Sequence, residues 1–170
     1  MEKCKTSWAS SLAALDAEGL ARKDAHCDEV AMRTSTTVGG CLCGALRYEG
    51  TGTPYNVSHC HCIDCRRTSG APLVTWASFR RSEFRFTKGQ PRNVSWAGRV
   101  RSFCGTCGTP LTFMTEPDAD EVDVTVSTFD HPEAVSPADH TWVEDRLPWI
   151  QLADGLPEHR QGRPGDTSGG

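Results

Sequence analysis

The sequence lacks any long hydrophobic run. No apolar stretch in its 170 residues approaches the roughly 20 residues that a helix needs to cross a bilayer, and the mean hydropathy is -0.46. We therefore expect neither a membrane-spanning segment nor a membrane partner. A hydrophobic content of 37% is enough for one modest core, and the length fits a single domain.

The N-terminus lacks a basic segment followed by an apolar stretch, so the sequence predicts no secretory signal. The nine cysteines are also an odd number, and an exported domain that paired them in disulfides would leave one over. Clustered cysteines that stay reduced in the cytosol are better explained as metal ligands. The sequence therefore predicts a cytoplasmic metalloprotein.

Basic and acidic residues are segregated along the chain. Residues 60–110 carry nine Lys/Arg and two Asp/Glu, a net charge of +7, whereas residues 111–145 carry ten Asp/Glu and no Lys or Arg. A basic segment can attract nucleic acid or an anionic small molecule. Alternatively, the arginines offset bound thiolates and the acidic segment folded beside them. The arginines are scattered over several predicted strands, which favours this second interpretation and argues against nucleic acid.

The predicted domain occupies residues 38–158. Residues 1–37 are rich in Ser, Thr and Ala and hold Cys4 and Cys27 at no metal-ligand spacing, so we interpret them as a poorly ordered N-terminal extension. Residues 159–170 are polar and glycine-rich, which predicts a flexible tail.

Short strands dominate the pattern inside this domain. They are rich in β-branched and aromatic residues and are separated by Gly and Pro, whereas residues 65–70 alone suggest a helical turn. We expect a mainly β fold of two packed antiparallel sheets. The predicted strands are 45–49, 72–79, 83–86, 93–96, 99–103, 111–114 and 122–128.

Seven cysteines form three groups, and the first and third groups predict a structural zinc site. Cys104 and Cys107 flank Gly105 and Thr106 in a form typical of a zinc knuckle. The Cys41–Cys43 pair is a shorter loop of the same kind, with two closely spaced cysteines followed by a glycine. A structural zinc takes four protein ligands, which two pairs supply. A metal ion shared by the two pairs would link parts of the chain about 60 residues apart and so stabilise a small core.

The middle group, Cys60, Cys62 and Cys65, predicts a second zinc site with an open position. Three protein ligands and one free position are typical of catalytic zinc. His59 or His61 could supply a fourth ligand and close the site, but in an extended strand their side chains point away from those of the cysteines. A third alternative is that these cysteines bind no metal.

The stretches GGCLCGALRYEG, HCHCIDCRRTSG, FCGTCGTPL and HTWVEDRLPWIQLADGLP together resemble the family of glutathione-dependent formaldehyde-activating enzymes and centromere protein V. The resemblance extends over roughly residues 38–158. It implies the β-tent fold, a structural zinc on Cys41, Cys43, Cys104 and Cys107, and a catalytic zinc on Cys60, Cys62 and Cys65. It gives no role to Cys4 or Cys27.

The reaction that this resemblance implies joins glutathione to formaldehyde as S-(hydroxymethyl)glutathione, and its reverse is classed as a carbon–sulfur lyase reaction. The substrates would be a glutathione-like thiol and a small aldehyde. Arg66 and Arg67 follow the last ligand, and we expect them to bind a glutathione carboxylate; the alternative is a solvated turn.

Other interpretations differ in chemistry. The zinc domain could act on another thiol adduct, or it could be a zinc-stabilised binding or scaffold module without catalysis. A methionine sulfoxide reductase would need a redox-active cysteine near its C-terminal end, but Cys107 is the last cysteine.

We expect Asp64 to hydrogen-bond around the metal ligands. Two tryptophans, Trp142 and Trp149, are candidates for the wall of the site. Three isolated histidines are predicted at the surface, namely His131, His140 and His159.

Overall fold

The computed structural model describes residues 35–164, which form a mainly β domain with one short α-helix. Cys4, Cys27, most of the predicted extension and residues 165–170 of the predicted tail lie outside the described residues. The strands are β1 (Thr36–Gly40), β2 (Arg47–Thr51), β3 (Tyr55–Cys60), β4 (Val74–Arg80), β5 (Phe84–Lys88), β6 (Arg92–Trp96), β7 (Arg99–Phe103), β8 (Pro110–Met114), β9 (Glu121–Thr125) and β10 (Asp139–Thr141), and the helix is α1 (Ile63–Ser69).

The strands form two sheets, which confirms the predicted mainly β class. The smaller sheet has the order β1-β2-β5, and the larger has the order β10-β3-β4-β9-β8-β7-β6. All pairs are antiparallel except β10 with β3, which run parallel. The exception arises because β10 reaches β3 through a long connection and not through a hairpin.

One face of the large sheet packs against the small sheet and forms the main core. From the large sheet, Phe79 and Val124 are buried in this cluster, and from the small sheet Tyr48 and Phe84 are buried there. The Tyr48 and Phe84 rings lie 5.3 Å apart between centroids, and Phe79 contacts Phe129 at 6.2 Å. Burial of these aromatic side chains supplies much of the hydrophobic stabilisation of such a small domain.

The opposite face of the large sheet is more polar and carries the candidate site. Successive side chains of a strand point to opposite faces, so a residue beside a core residue points away from the core. The pairing register aligns one cross-strand row over four strands, namely Arg101 on β7, Phe113 on β8, Asp123 on β9 and Ser78 on β4. The sheet thus buries one face and presents a mixed polar and aromatic row on the other.

The C-terminal part of the described chain is bonded to β10. The His140 N–H donates to the Pro157 carbonyl, the His159 N–H donates back to the His140 carbonyl, and the Trp142 N–H donates to the Gln161 carbonyl. Arg163 forms a bidentate pair with the buried carboxylate of Asp139, at 2.6 and 3.0 Å. Residues 157–163 therefore cover the edge of the large sheet beside the candidate site.

Within residues 35–164, no helix is long and apolar enough to cross a membrane.

Candidate metal centres

The structure brings the first and third cysteine groups together. The sulfur atoms of Cys41, Cys43, Cys104 and Cys107 all lie within 4.8 Å of one another, although the two pairs are distant in sequence. Each pair occupies a tight turn: the Gly44 N–H donates to the Cys41 carbonyl, and the Gly108 N–H donates to the Cys104 carbonyl. Both glycines have positive φ, 70° and 77°, which a side chain would disfavour.

The spacing of these four sulfurs fits a tetrahedral zinc ion. The Cys41 and Cys43 sulfurs lie 3.6 Å apart, and the Cys43 and Cys104 sulfurs lie 3.8 Å apart. A tetrahedron with zinc–sulfur bonds of about 2.3 Å has edges of roughly 3.8 Å. The Thr109 hydroxyl, 3.1 Å from the Cys107 sulfur, lowers the pKa of that thiol to about 5, which favours the thiolate that a metal needs.

The second cluster consists of Cys60, Cys62 and Cys65, whose sulfur atoms also lie within 4.8 Å of one another. Cys60 ends β3, Cys62 is the N-cap of α1, and Cys65 lies in the first turn of that helix. Cys60 and Cys65 are buried, whereas Cys62 is half-buried. The change from strand to helix within three residues is therefore what turns the three sulfurs toward a common point.

Two donors stabilise negative charge on these sulfurs. The Cys62 sulfur accepts the Cys65 N–H at 3.3 Å, and the Cys65 sulfur accepts the Trp76 Nε1–H at 3.3 Å. A hydrogen bond from the Cys60 thiol, and a second one from the Cys65 thiol with a smaller effect, hold the pKa of Cys62 well below its usual range. The donor set, three convergent sulfurs of which at least one is readily ionised, fits a thiophilic metal such as zinc.

Neither neighbouring histidine joins this cluster, so among the described residues its ligand set is three cysteines. His59 Nδ1 is engaged with the Thr75 hydroxyl at 2.9 Å. His61 is fully buried, and its N–H donates to the Thr141 carbonyl while its carbonyl accepts the Arg66 Nε–H. The residue between two cysteine ligands is thus fixed by its backbone on both sides.

A chain of hydrogen bonds leads from the buried His61 to Asp154 at the surface. His61 Nε2 lies 3.0 Å from His140 Nδ1, and His140 Nε2 lies 3.1 Å from both carboxylate oxygens of Asp154. Burial, and then the neighbouring His140, lowers the pKa of His61 to about 4, so this ring is neutral at pH 7. The prediction of a surface position for His140 is wrong, because β10 inserts it into the large sheet, where it is 1% exposed.

The three-cysteine cluster opens into a cavity of about 340 Å³. The cavity lies over the polar face of the large sheet, between α1 and the segment that follows β10. Besides the cysteines, its walls include the aromatic side chains of Trp76, Phe113 and Trp142 and the charged side chains of Asp64, Glu121, Asp123, Asp145, Arg99, Arg101 and Arg163. In contrast, none of the four-cysteine cluster lines it.

Arg66 and Arg67, which the sequence favoured as substrate contacts, are not among the residues that line this cavity. Arg66 bonds the His61 carbonyl at 3.2 Å, and Arg67 is exposed. The structure places Trp142 in the cavity wall, as expected, and shows the Asp64 side chain paired with an arginine and not with a cysteine. Asp64 lines the cavity and forms an ion pair with Arg99 at 3.3 Å, and Trp142 is part of the wall, whereas Trp149 is 67% exposed and is not.

Two residues of the cavity wall have left-handed backbones. Trp142 has φ 57° and Asn56 has φ 49°, and both line the cavity. A bulky residue such as tryptophan adopts this conformation at a cost in free energy, and such outliers concentrate at functional sites. The indole of Trp142 packs against the cluster that contains Cys60, Cys65 and Trp76.

Comparison with known proteins agrees with this geometry. A profile described as "Glutathione-dependent formaldehyde-activating enzyme" matches residues 36–145, which is more than half of the chain and spans all seven clustered cysteines. The chain belongs to this family. The match begins with β1 and ends just after the left-handed Trp142, so it includes every strand of the described domain.

The chain matches no curated protein. Among solved structures, it is similar to a crystal structure of a Rhodobacter sphaeroides protein, with 21% sequence identity and a TM-score of 0.46. That similarity covers 72% of this chain and 98% of the other. The assignment to the family therefore rests on the profile and not on this likeness.

Sequence patterns indicated the clustered cysteines, Asp64 and Trp142, but not the strand residues of the cavity wall. The cysteines are visible because ligands of one metal recur at short spacings. Trp76, Arg99, Arg101 and Phe113 come from strands that are far apart in sequence, and only the pairing register places them on one face. The alternation of side chains within β4 and β7 was the available signal for these wall residues. Alternation alone does not indicate which face of a strand packs against the core and which faces the cavity.

Proposed function

We propose that this protein is a zinc-dependent enzyme of the carbon–sulfur lyase type that acts on thiol adducts. Its substrates would be a glutathione-like thiol and formaldehyde. The observation that carries the proposal is the position of Cys60, Cys62 and Cys65 at the wall of a cavity of about 340 Å³. A purely structural metal site, such as the four-cysteine cluster, needs no such cavity beside it.

The proposed reaction is an addition that balances without an oxidant or reductant. The thiol sulfur forms a bond to the aldehyde carbon, the carbon–oxygen double bond becomes single, and the thiol proton ends on that oxygen. A zinc ion bound by the three cysteines would supply Lewis acidity, which lowers the pKa of a thiol and polarises a carbonyl oxygen. Metal identity and catalytic role are both part of the proposal.

The residues of the chain contribute positioning and exclusion of water. Trp76 donates to the Cys65 sulfur and so orients one ligand, while the helix N-terminus donates to Cys62. Trp142 and Phe113 line the cavity and reduce its contact with solvent. Holding a thiol and an aldehyde together in this space converts an encounter of two molecules into a reaction of bound partners.

The test is the rate at which the zinc-loaded protein forms the adduct of glutathione and formaldehyde, measured by exchange NMR against the spontaneous reaction. We expect acceleration by the native protein and loss of most of that acceleration in Cys62→Ser. His131→Asn is the matched control, because His131 lies far from the cavity lining, is exposed, and pairs with Glu133. It should retain the native rate.

Two results would contradict the proposal. One is equal acceleration by the native protein and Cys62→Ser, which would place the chemistry elsewhere. The other is the absence of any acceleration by a fully zinc-loaded protein, with other thiols and aldehydes also unreactive. That second result would support the alternative of a zinc-stabilised binding or scaffold module.

A further inference from the structure

Arg101 is a cation of the cavity wall that no carboxylate of the described residues neutralises. It projects from β7, and its guanidinium carbon lies 4.5 Å from the centroid of the Phe113 ring. Within residues 35–164 its side chain forms no ion pair. The stack on Phe113 holds the planar group in one orientation and leaves its N–H donors for another partner.

The other two arginines of the cavity already have carboxylate partners. Arg99 forms its ion pair with Asp64, and Arg163 forms its bidentate pair with Asp139. Of the other acidic groups of the wall, Asp123 accepts the Ser78 hydroxyl at 2.6 Å, Asp145 accepts the Ile63 N–H at 3.2 Å, and Glu121 lies opposite Arg80 in the pairing of β4 with β9. Arg101 therefore differs from Arg99 and Arg163, because its positive charge is available to bind an anionic group of a ligand.

A continuous aromatic wall connects Arg101 with the three-cysteine cluster. Phe113 contacts Trp76, with ring centroids 6.1 Å apart, and the Trp76 indole bonds the Cys65 sulfur. A ligand that is long enough to extend along both rings from the cysteines would therefore meet the guanidinium. Because a guanidinium matches a carboxylate through two parallel hydrogen bonds, the group favoured at that end is a carboxylate.

We propose that Arg101 is the specificity-determining residue that binds a carboxylate of the thiol substrate. This inference rests on the proposed function and names the residue that would distinguish a carboxylate-bearing thiol, such as glutathione, from other thiols. It assigns to β7 the role that the sequence pattern suggested for Arg66 and Arg67. The position fits this role better because Arg101 lines the cavity and neither of those two residues does.

The test compares glutathione with its diethyl ester, which keeps the thiol and has no free carboxylate. Their binding to the zinc-loaded protein is measured by calorimetry, so the readout does not depend on catalysis. Arg101→Gln should weaken binding of glutathione about tenfold or more, because a charged hydrogen-bonded pair is lost. Binding of the diethyl ester should change by less than about twofold, since that ligand offers no carboxylate to the guanidinium.

Arg67→Gln is the matched control, because it removes an equal charge from an exposed position outside the cavity. It should leave both affinities unchanged. Arg101→Lys keeps the charge without the planar fork and should recover part of the lost affinity. It also provides a folded comparison if the glutamine variant is unstable.

The outcomes separate the inference from the proposed function. If Arg101→Gln weakens both thiols equally, or changes neither, Arg101 does not select the carboxylate, although thiol binding at the cysteines stands. If neither thiol binds the native protein, or if both bind equally well after Cys60, Cys62 and Cys65 are replaced by serine, the proposed function fails and the inference fails with it.

Discussion

At the scale of single residues, the buried His140 joins His61 in the interior to Asp154 at the surface. It contacts His61 on one side and Asp154 on the other, and it is 1% exposed. His140→Leu would remove the partner of the buried His61 Nε2, and the other ring nitrogen of His61, Nδ1, already has no partner within the described residues. We expect the zinc-loaded variant to lose about 1–3 kcal/mol of unfolding free energy, measured by denaturant titration.

His131→Asn is the control for this prediction. His131 is exposed and pairs with the equally exposed Glu133, so its replacement should shift the free energy of unfolding by less than about 0.5 kcal/mol. A His140→Leu protein as stable as the native one would show that this hydrogen-bond chain does not contribute to stability.

Trp76 provides a second prediction at this scale. Its indole N–H is 3.3 Å from the Cys65 sulfur, and a donor at this position stabilises the ligand as a thiolate. In Trp76→Phe the aromatic packing is largely kept and the donor is lost. A hydrogen bond worth about 1 kcal/mol corresponds to a roughly fivefold weaker zinc affinity at the three-cysteine cluster, measured by competition with a chelator.

Trp96→Phe is the comparison, because Trp96 is 69% exposed on β6. Its zinc affinity should equal that of the native protein. Equal affinities in Trp76→Phe and Trp96→Phe would contradict the role that we give to the indole donor.

The sequence was sufficient to predict the residues whose chemistry depends on local spacing. The seven cysteines converge in the two predicted groupings. The role that we propose for Arg101 could not be recognised in the same way, because it depends on Phe113 in the next strand and on the lack of a carboxylate partner within residues 35–164. His140 was misjudged for a related reason: an isolated polar residue in a short strand carries no sign of burial when its partners, His61 and Asp154, are distant or lie in a loop.

At the scale of elements, the close contact between β2 and β4 depends on a glycine. A Cβ at Gly50 would lie 2.5 Å from the Phe79 ring, which is buried in the main core. We therefore expect Gly50→Ala to separate the two sheets locally and to cost about 1–3 kcal/mol of unfolding free energy, with a lower melting temperature. Asn93→Ala, on the exposed strand β6, should have a much smaller effect. A melting temperature in Gly50→Ala equal to that of Asn93→Ala would refute this account of the packing.

Elements with clear hydrophobic or aromatic patterns were predicted, and those without them were missed. The predicted strands at 93–96 and 99–103 correspond to β6 and β7, and the predicted turn at 65–70 lies in α1 and its C-cap. The prediction at 122–128 was too long, because β9 ends at Thr125 and a 3-10 turn follows. Three strands, β1, β3 and β10, were missed because glycine, polar residues or short length leave almost no local signal.

At the scale of the whole molecule, the sheet order brings one strand of the basic segment beside one strand of the acidic segment. β4 pairs with β9, so that Arg80 is directly opposite Glu121. The acidic segment also forms ion pairs with arginines from outside residues 60–110, such as Asp130 with Arg47 and Asp139 with Arg163. The interpretation in which the arginines of residues 60–110 offset the acidic segment is thus supported at the Arg80–Glu121 position.

The two cysteine clusters lie in different parts of the packing, which fits the separate roles that we propose for them. Cys41 and Cys104 of the first cluster are part of the main core, whereas Cys60 and Cys65 belong to a separate cluster beside the cavity. Loss of metal from the first site should therefore unfold the domain, and loss from the second should spare most of its packing.

The central claim is tested most directly by counting zinc per folded chain. Elemental analysis would compare the native protein with a Cys60→Ser, Cys62→Ser, Cys65→Ser triple variant, and circular dichroism would verify the fold of each. The account predicts two zinc ions in the native protein and one in the variant, with the fold retained. One zinc ion in both proteins would contradict it, because the cavity would then have no metal for the proposed chemistry.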